Sequence, residues 1–183
     1  MFNNVKEYYN RLRLIYVLEK RYNFSTKFHT RKGEASFSFK SWGGNVFAIK
    51  VFLCLWDEDF YVNLFHEVGH VVDAKLTRGW STKDYKNSNN IASLGNKSWF
   101  SVDSDEGIIQ GYIKSSGNTD YAKLLVKEAR ASRFAIRALK SLKLYNERST
   151  PLLERCLGTY CKYMDTSDIA DITYKLINYM KGK

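Results

Sequence analysis

Between residues 3 and 21, apolar side chains recur every three or four positions: Val5, Tyr8, Tyr9, Leu12, Ile15, Tyr16 and Leu18. That spacing gathers them on one side of a 3.6-residue repeat and predicts an amphipathic helix. From Glu34 to Lys40 the period changes to two. Ala35, Phe37 and Phe39 alternate with Ser36 and Ser38, which predicts a strand with one exposed face. Trp42-Gly43-Gly44-Asn45 has the composition of a tight turn. Val46 to Trp56 is then almost wholly apolar, interrupted by Lys50, and predicts a buried, more central strand. Residues 34–56 therefore read as a hairpin.

Asp57-Glu58-Asp59 suits the start of a helix, where carboxylates accept from free backbone N–H groups and face the positive end of the dipole. The helix is expected from about residue 59 to 76, with Tyr61, Phe65, Val68, Val72 and Leu76 as its core stripe and Gly79 just past its end. Thr119 opens a second long helix, to about residue 144, striped by Tyr121, Leu124, Leu125, Ala131, Ala135, Ala138, Leu139 and Leu142. Pro151 begins a further helix, and residues 166–181, capped by Thr166, form a last one. Residues 79–118 are rich in Ser, Asn, Gly and Asp. A structureless loop of that length is uncommon, so short strands or a lid are expected there. The expected class is α+β, a small antiparallel or mixed sheet packed on the first long helix, with extra C-terminal helices. With no repeat and no detachable linker, residues 1–183 read as one domain. Its parts are an N-terminal helix (1–22), a core (34–140) and a C-terminal helical pair (151–181).

Composition narrows the class. With 183 residues, 44% of them apolar, the chain can bury a core and is not a disordered tail. No run of eighteen apolar residues occurs, which excludes a spanning helix. Met1 to Glu7 lacks the basic start and apolar stretch of a signal peptide, so a cytoplasmic chain beginning here is expected. Cys54, Cys156 and Cys161 are an odd number without a CxxC pair, against a disulfide framework or a thiolate zinc site; Cys54, inside an apolar run, reads as a small core residue. Lys and Arg number 29 against 19 Asp and Glu, a net +10 concentrated in the first and last thirds. That surplus either keeps the surface solvated or fits an acidic protein or nucleic acid as partner.

The chemistry converges on His66-Glu67-Val68-Gly69-His70, an HExxH sequence in the middle of the first long helix. Residues four apart share a helix face, so both imidazoles can bind one Zn²⁺, while Glu67 points beside them, placed to take a proton from water. The core stripe is already supplied by other residues. His66 and His70 share their own face with Asp73, and they are two of the chain's three histidines. His29 stands alone and reads as a surface or packing residue.

A catalytic zinc site needs a third protein ligand. The extended form HExxHxxGxxH fails, since Asp73 stands for the glycine and Leu76 for the last histidine. Glu128 is the candidate. It falls inside the apolar stripe of the second long helix, whose other side carries Lys123, Lys127, Arg130, Arg133, Arg137 and Lys140. A carboxylate on a core-facing stripe is costly unless paired or bound to metal. Ala131 and Ala135 leave room for another helix to approach. The competing readings are a Glu128 paired with a buried cation, or a ligand drawn from Asp103, Asp105 or Glu106 in the polar segment.

With these residues in view, the chain resembles the gluzincin class of zinc metallopeptidases. His66-Glu67-Val68-Gly69-His70-Val71-Val72-Asp73 is similar to the HExGHxxD form of anthrax-lethal-factor-type peptidase domains. Glu128-Ala129-Arg130-Ala131-Ser132-Arg133-Phe134-Ala135 is similar to the ExxAxxFA helix of that group and of ImmA/IrrE-like peptidases. The resemblance covers about residues 34–140. The chain departs from it in the 57 residues that separate His70 from Glu128 and in having no preceding helix-turn-helix. It implies a zincin-like fold and Zn²⁺ held by His66, His70 and Glu128. It implies Glu67 as the proton carrier for attack on a peptide bond, and Tyr121, seven residues before Glu128, as hydrogen-bond donor to the oxyanion. Asp73 would orient a ligand or a neighbouring arginine, and a protein or peptide substrate would add as a strand along residues 34–40. Two other classes stay open. One is a zincin fold that no longer cuts and serves in binding or virion assembly, since one proline and many Lys, Asn and Tyr suit AT-rich, phage-type coding in a host cytoplasm. The other is a basic nucleic-acid-binding protein with an incidental HExxH.

Overall fold

The computed structural model describes residues 2–42, 45–78, 119–161 and 169–182, with side chains at 5–38, 48–73, 128–158 and 174–182. The chain divides into two compact units, Met1–Lys86 and Asn87–Lys183. Its described residues form five helices and one mixed three-stranded sheet, an α+β combination.

The first unit contains α1 (Phe2–Tyr22), β1 (Ser25–Phe28), β2 (Ser36–Trp42), β3 (Asn45–Leu53) and α2 (Phe60–Arg78). The strand order is β1-β3-β2, so β3 is central. It pairs antiparallel with β2, as the hairpin reading expects, and parallel with β1. Ile49, Val51 and Leu53 on one face of β3 are fully buried, whereas Ala48, Lys50 and Phe52 on the other are half-covered. The strand is therefore one-sided rather than sandwiched, which explains the tolerated Lys50. It also stops at Leu53, not Trp56. Cys54 and Leu55 continue into the core, and Trp56 turns outward at 60% exposure to stack on Tyr8, with ring centroids 5.0 Å apart. The Gly43-Gly44 turn lies outside the described residues.

The packing side of α1 differs from the one expected. Ile15 and Leu18 are buried, but Val5, Tyr9 and Tyr16 face outward. A cation sets this side. Arg11 donates through Nη1 to the carbonyls of Leu55 and Asp57, each at 2.8 Å, and through Nε to Glu7 at 3.1 Å, with its guanidinium 4.7 Å from the centre of the Phe60 ring. Hydropathy periodicity cannot register a half-buried arginine whose Nε and Nη1 groups are taken up by a carboxylate and two backbone carbonyls. Replacing Arg11 with Met should lower unfolding free energy by about 2–4 kcal/mol, because two carbonyls lose a charged donor. An unfolding free energy from urea titration within about 0.5 kcal/mol of the parent's would show that water replaces the guanidinium freely.

Two more groups fasten α1 and α2. Tyr61 donates through its hydroxyl to Glu7 at 2.8 Å. Burial, and then the Glu7 carboxylate, push the Tyr61 hydroxyl up to about 12. The Tyr61 hydrogen bond, helped by Arg11, holds Glu7 below its ordinary 4.5. The bond thus contributes stability above pH 4.5 that fades as pH falls through the lowered Glu7 value, and again as pH rises from 10 towards 12. Asp57 is buried and heads α2. Its Oδ1 accepts from the Asp59 N–H at 3.0 Å, and its Oδ2 accepts from the Gly33 N–H at 2.8 Å and Asn63 Nδ2 at 3.0 Å. Gly33 has φ +73, a turn conformation that other residues adopt only with strain.

The second unit contains α3 (Thr119–Ser141), α4 (Ser149–Cys161) and α5 (Ile169–Lys181). Its core is Phe134, Ala135, Ala138 and Leu139 of α3, Leu153 and Leu157 of α4, and Leu176 and Met180 of α5. α3 stops at Ser141, short of the expected 144. Lys143 takes φ 57 and donates its N–H to the Lys140 carbonyl, while the Leu144 N–H reaches the Leu139 carbonyl at 2.9 Å. This closes the helix in the manner usually reserved for glycine and leaves Leu142 49% exposed, outside the stripe assigned to it. α4 begins two residues before Pro151, capped by Asn146, whose Oδ1 accepts from the Arg148 N–H and the Ser149 hydroxyl. The basic side of α3 is not simply solvated, since Arg130, Arg133 and Arg137 are half-buried, with Arg133 4.4 Å from the centre of the Tyr179 ring. Thr166 lies outside the described residues.

Candidate metal site

α2 packs on β3 and β2, and Leu64, Phe65, Val68, Val71 and Val72 are buried. That anchoring fixes the rotation of the helix, and with it the shared face of His66 and His70, which are half-buried. Their Nε2 atoms stand 3.2 Å apart, and the rings meet edge to face at 87°. Two ring nitrogens converge in this way when one donates to the other, or when both lone pairs address one cation. A tetrahedral ion with bonds of about 2.0–2.1 Å separates two nitrogens by about 3.3–3.4 Å. The observed 3.2 Å is a hydrogen-bond distance and also lies close to that separation, so the pair can share a divalent ion.

The flanking acids sit where the helical repeat puts them. Glu67 is only 6% exposed, one position beyond His66. Asp73 is buried seven residues after His66, two turns along the same face. The Phe37 ring of β2 stacks on the His70 imidazole, with centroids 5.8 Å apart and planes at 23°. Sequence reasoning placed Phe37 on the inner face of its strand without linking it to the site. The usable signal was that a hairpin just before a helix tends to lie against it.

In the second unit, Glu128 of α3 is 7% exposed, beside Ala129, Ala131, Ser132 and Ala135, which are buried. The anomaly seen in the sequence, a carboxylate inside a stripe of small apolar residues, is therefore real burial. Tyr121 belongs to α3, two turns before Glu128, and its side chain lies outside the described residues. So do the rival carboxylates Asp103, Asp105 and Glu106. His29 is half-buried and its backbone N–H donates to the Leu53 carbonyl at 3.0 Å, which ties the end of β1 to the sheet. Cys54 is buried, as its apolar setting implies.

No protein family, curated protein or solved structure gives a significant match to the chain.

Proposed function

We propose that His66, His70 and Glu128 hold one divalent metal ion, Zn²⁺, and that the chain is a metallopeptidase of zincin-like fold. One observation carries this reading. Among the described residues, these three form a group of metal-capable side chains whose ligand atoms all lie within 4.8 Å of one another. Two imidazoles and a carboxylate are a catalytic rather than a closed donor set, because they leave a fourth position open. The ion, when bound, would polarise a peptide carbonyl and acidify a water.

The chain's own residues supply the rest. Glu67, beside the imidazole pair and largely shielded from solvent, accepts the water's proton and passes it to the departing amine. Tyr121 donates a hydrogen bond to the carbonyl oxygen as charge develops on it. Asp73 and the stacked Phe37 keep the imidazoles oriented. β2 ends the strand order β1-β3-β2, so its outer edge has no strand partner among the described residues, and an extended peptide can add there. No helix of the described residues is long and apolar enough to cross a membrane. The test is a peptide library incubated with purified protein, with and without a chelator. Products that form only without the chelator are expected; a library left intact in both samples would overturn the peptidase assignment.

A further inference from the structure

The outward side of α1 carries a pattern that no part of the proposed catalysis uses. Lys6, Tyr9, Arg13, Tyr16 and Lys20 follow one another at spacings of three and four, so they form one row along the helix, cation and ring in alternation. All five are exposed, Tyr9 at 69% and Tyr16 at 60%. Arg21, also exposed, extends the charge past the last ring. The row runs about 21 Å at 1.5 Å per residue. Lys20 already rests over the Tyr16 ring, with Nζ 5.6 Å from its centre.

The outer side also lacks carboxylates. The two acids of α1 both turn inward, Glu7 to Arg11 and Tyr61, and Glu19 to the Thr26 N–H at 2.6 Å. Among the described residues of α1, no carboxylate stands in the row to offset the cations. Its rings are tyrosines set between charges, and its exposed aliphatic residues are only Val5 and Val17, twelve positions apart and too few for a continuous stripe. That disfavours burial in a lipid interface, which wants a continuous apolar stripe. An acidic peptide would use the charges and leave the rings idle.

We infer that this row binds single-stranded nucleic acid, its cations meeting phosphates and the Tyr9 and Tyr16 rings receiving unpaired bases. Alternating positive charge and flat rings match the alternating backbone and bases of an unpaired strand, whereas a duplex hides its base faces. The row shares no residue with His66, His70 and Glu128, so the inference stands independently of the peptidase reading.

The experiment is fluorescence anisotropy of full-length protein with a labelled twenty-residue oligothymidylate, an equally long duplex as comparison, and sedimentation with vesicles containing phosphatidylserine. Four phosphate contacts to a single strand give a log–log salt slope of about −3, which is about a 50-fold loss between 50 and 200 mM salt. Lys6→Gln/Arg13→Gln/Lys20→Gln should cut the slope to about −1. Tyr9→Ala/Tyr16→Ala should weaken strand binding at least tenfold and leave duplex binding unchanged. Every substituted residue is exposed, and circular dichroism checks that each variant keeps its helices. No strand binding at 50 mM salt, variants that bind as the parent does, or vesicle binding in preference to the strand would each overturn the inference.

Discussion

Replacing Glu67 with Gln is expected to leave metal bound and to slow peptide hydrolysis by about 10²–10⁴-fold, the range lost when a positioned proton carrier is removed. The substitution keeps the volume and hydrogen-bonding shape of the side chain, so α2 should keep its seat on the sheet. What it removes is a basic oxygen next to the imidazole pair. Glu67 is almost wholly shielded from water, so the proposed proton carrier is held away from bulk solvent. Stopped assays on a cleaved library peptide, with metal content measured on the same samples, separate the two effects. An E67Q protein that retains metal and cuts as fast as the parent contradicts the role given to Glu67. One that loses both points to a ligand instead.

Replacing His66 with Ala should take bound zinc from about one per chain to below about 0.1. The remaining imidazole and carboxylate leave the ion short of the three protein ligands that catalytic sites use. Stability provides a second readout. A ligand present at a hundredfold over its Kd stabilises the folded state by about 2.7 kcal/mol, which moves a midpoint by several degrees in a chain of this size. Chelation should therefore lower the parent's melting temperature and leave that of H66A unmoved. Equal zinc content in parent and variant would show that the ion sits elsewhere.

Both long helices, the hairpin and the imidazole pair were legible because each rests on a local rule. A period of 3.6 marks α2 and α3, a period of two marks β2, and a spacing of four sets His66 above His70. Glu128 stood out by violating such a rule, as a carboxylate where the stripe calls for an apolar residue, and its burial agrees. The misses have a common cause in tertiary choice. β1 is four residues long, Ser-Thr-Lys-Phe, with three of them exposed and no period to detect. It exists because β3 offers it an edge. α1 carries apolar residues around most of its circumference, and Arg11, held by carbonyls 44 and 46 residues away, chooses the inward side. The end of α3 turns on a lysine in a left-handed conformation that composition alone assigns to glycine. The stacking of Phe37 on His70 depends on which sheet face meets α2, a relation no motif encodes.

X-ray absorption at the zinc edge of the purified protein tests the centre of the proposal most directly. A first shell of two imidazole nitrogens near 2.0–2.1 Å with oxygen at about 2.0–2.2 Å, reduced by one imidazole in H66A and altered in E128Q, is the expected result. A shell dominated by sulfur near 2.3 Å, or a spectrum unchanged by E128Q, would contradict it.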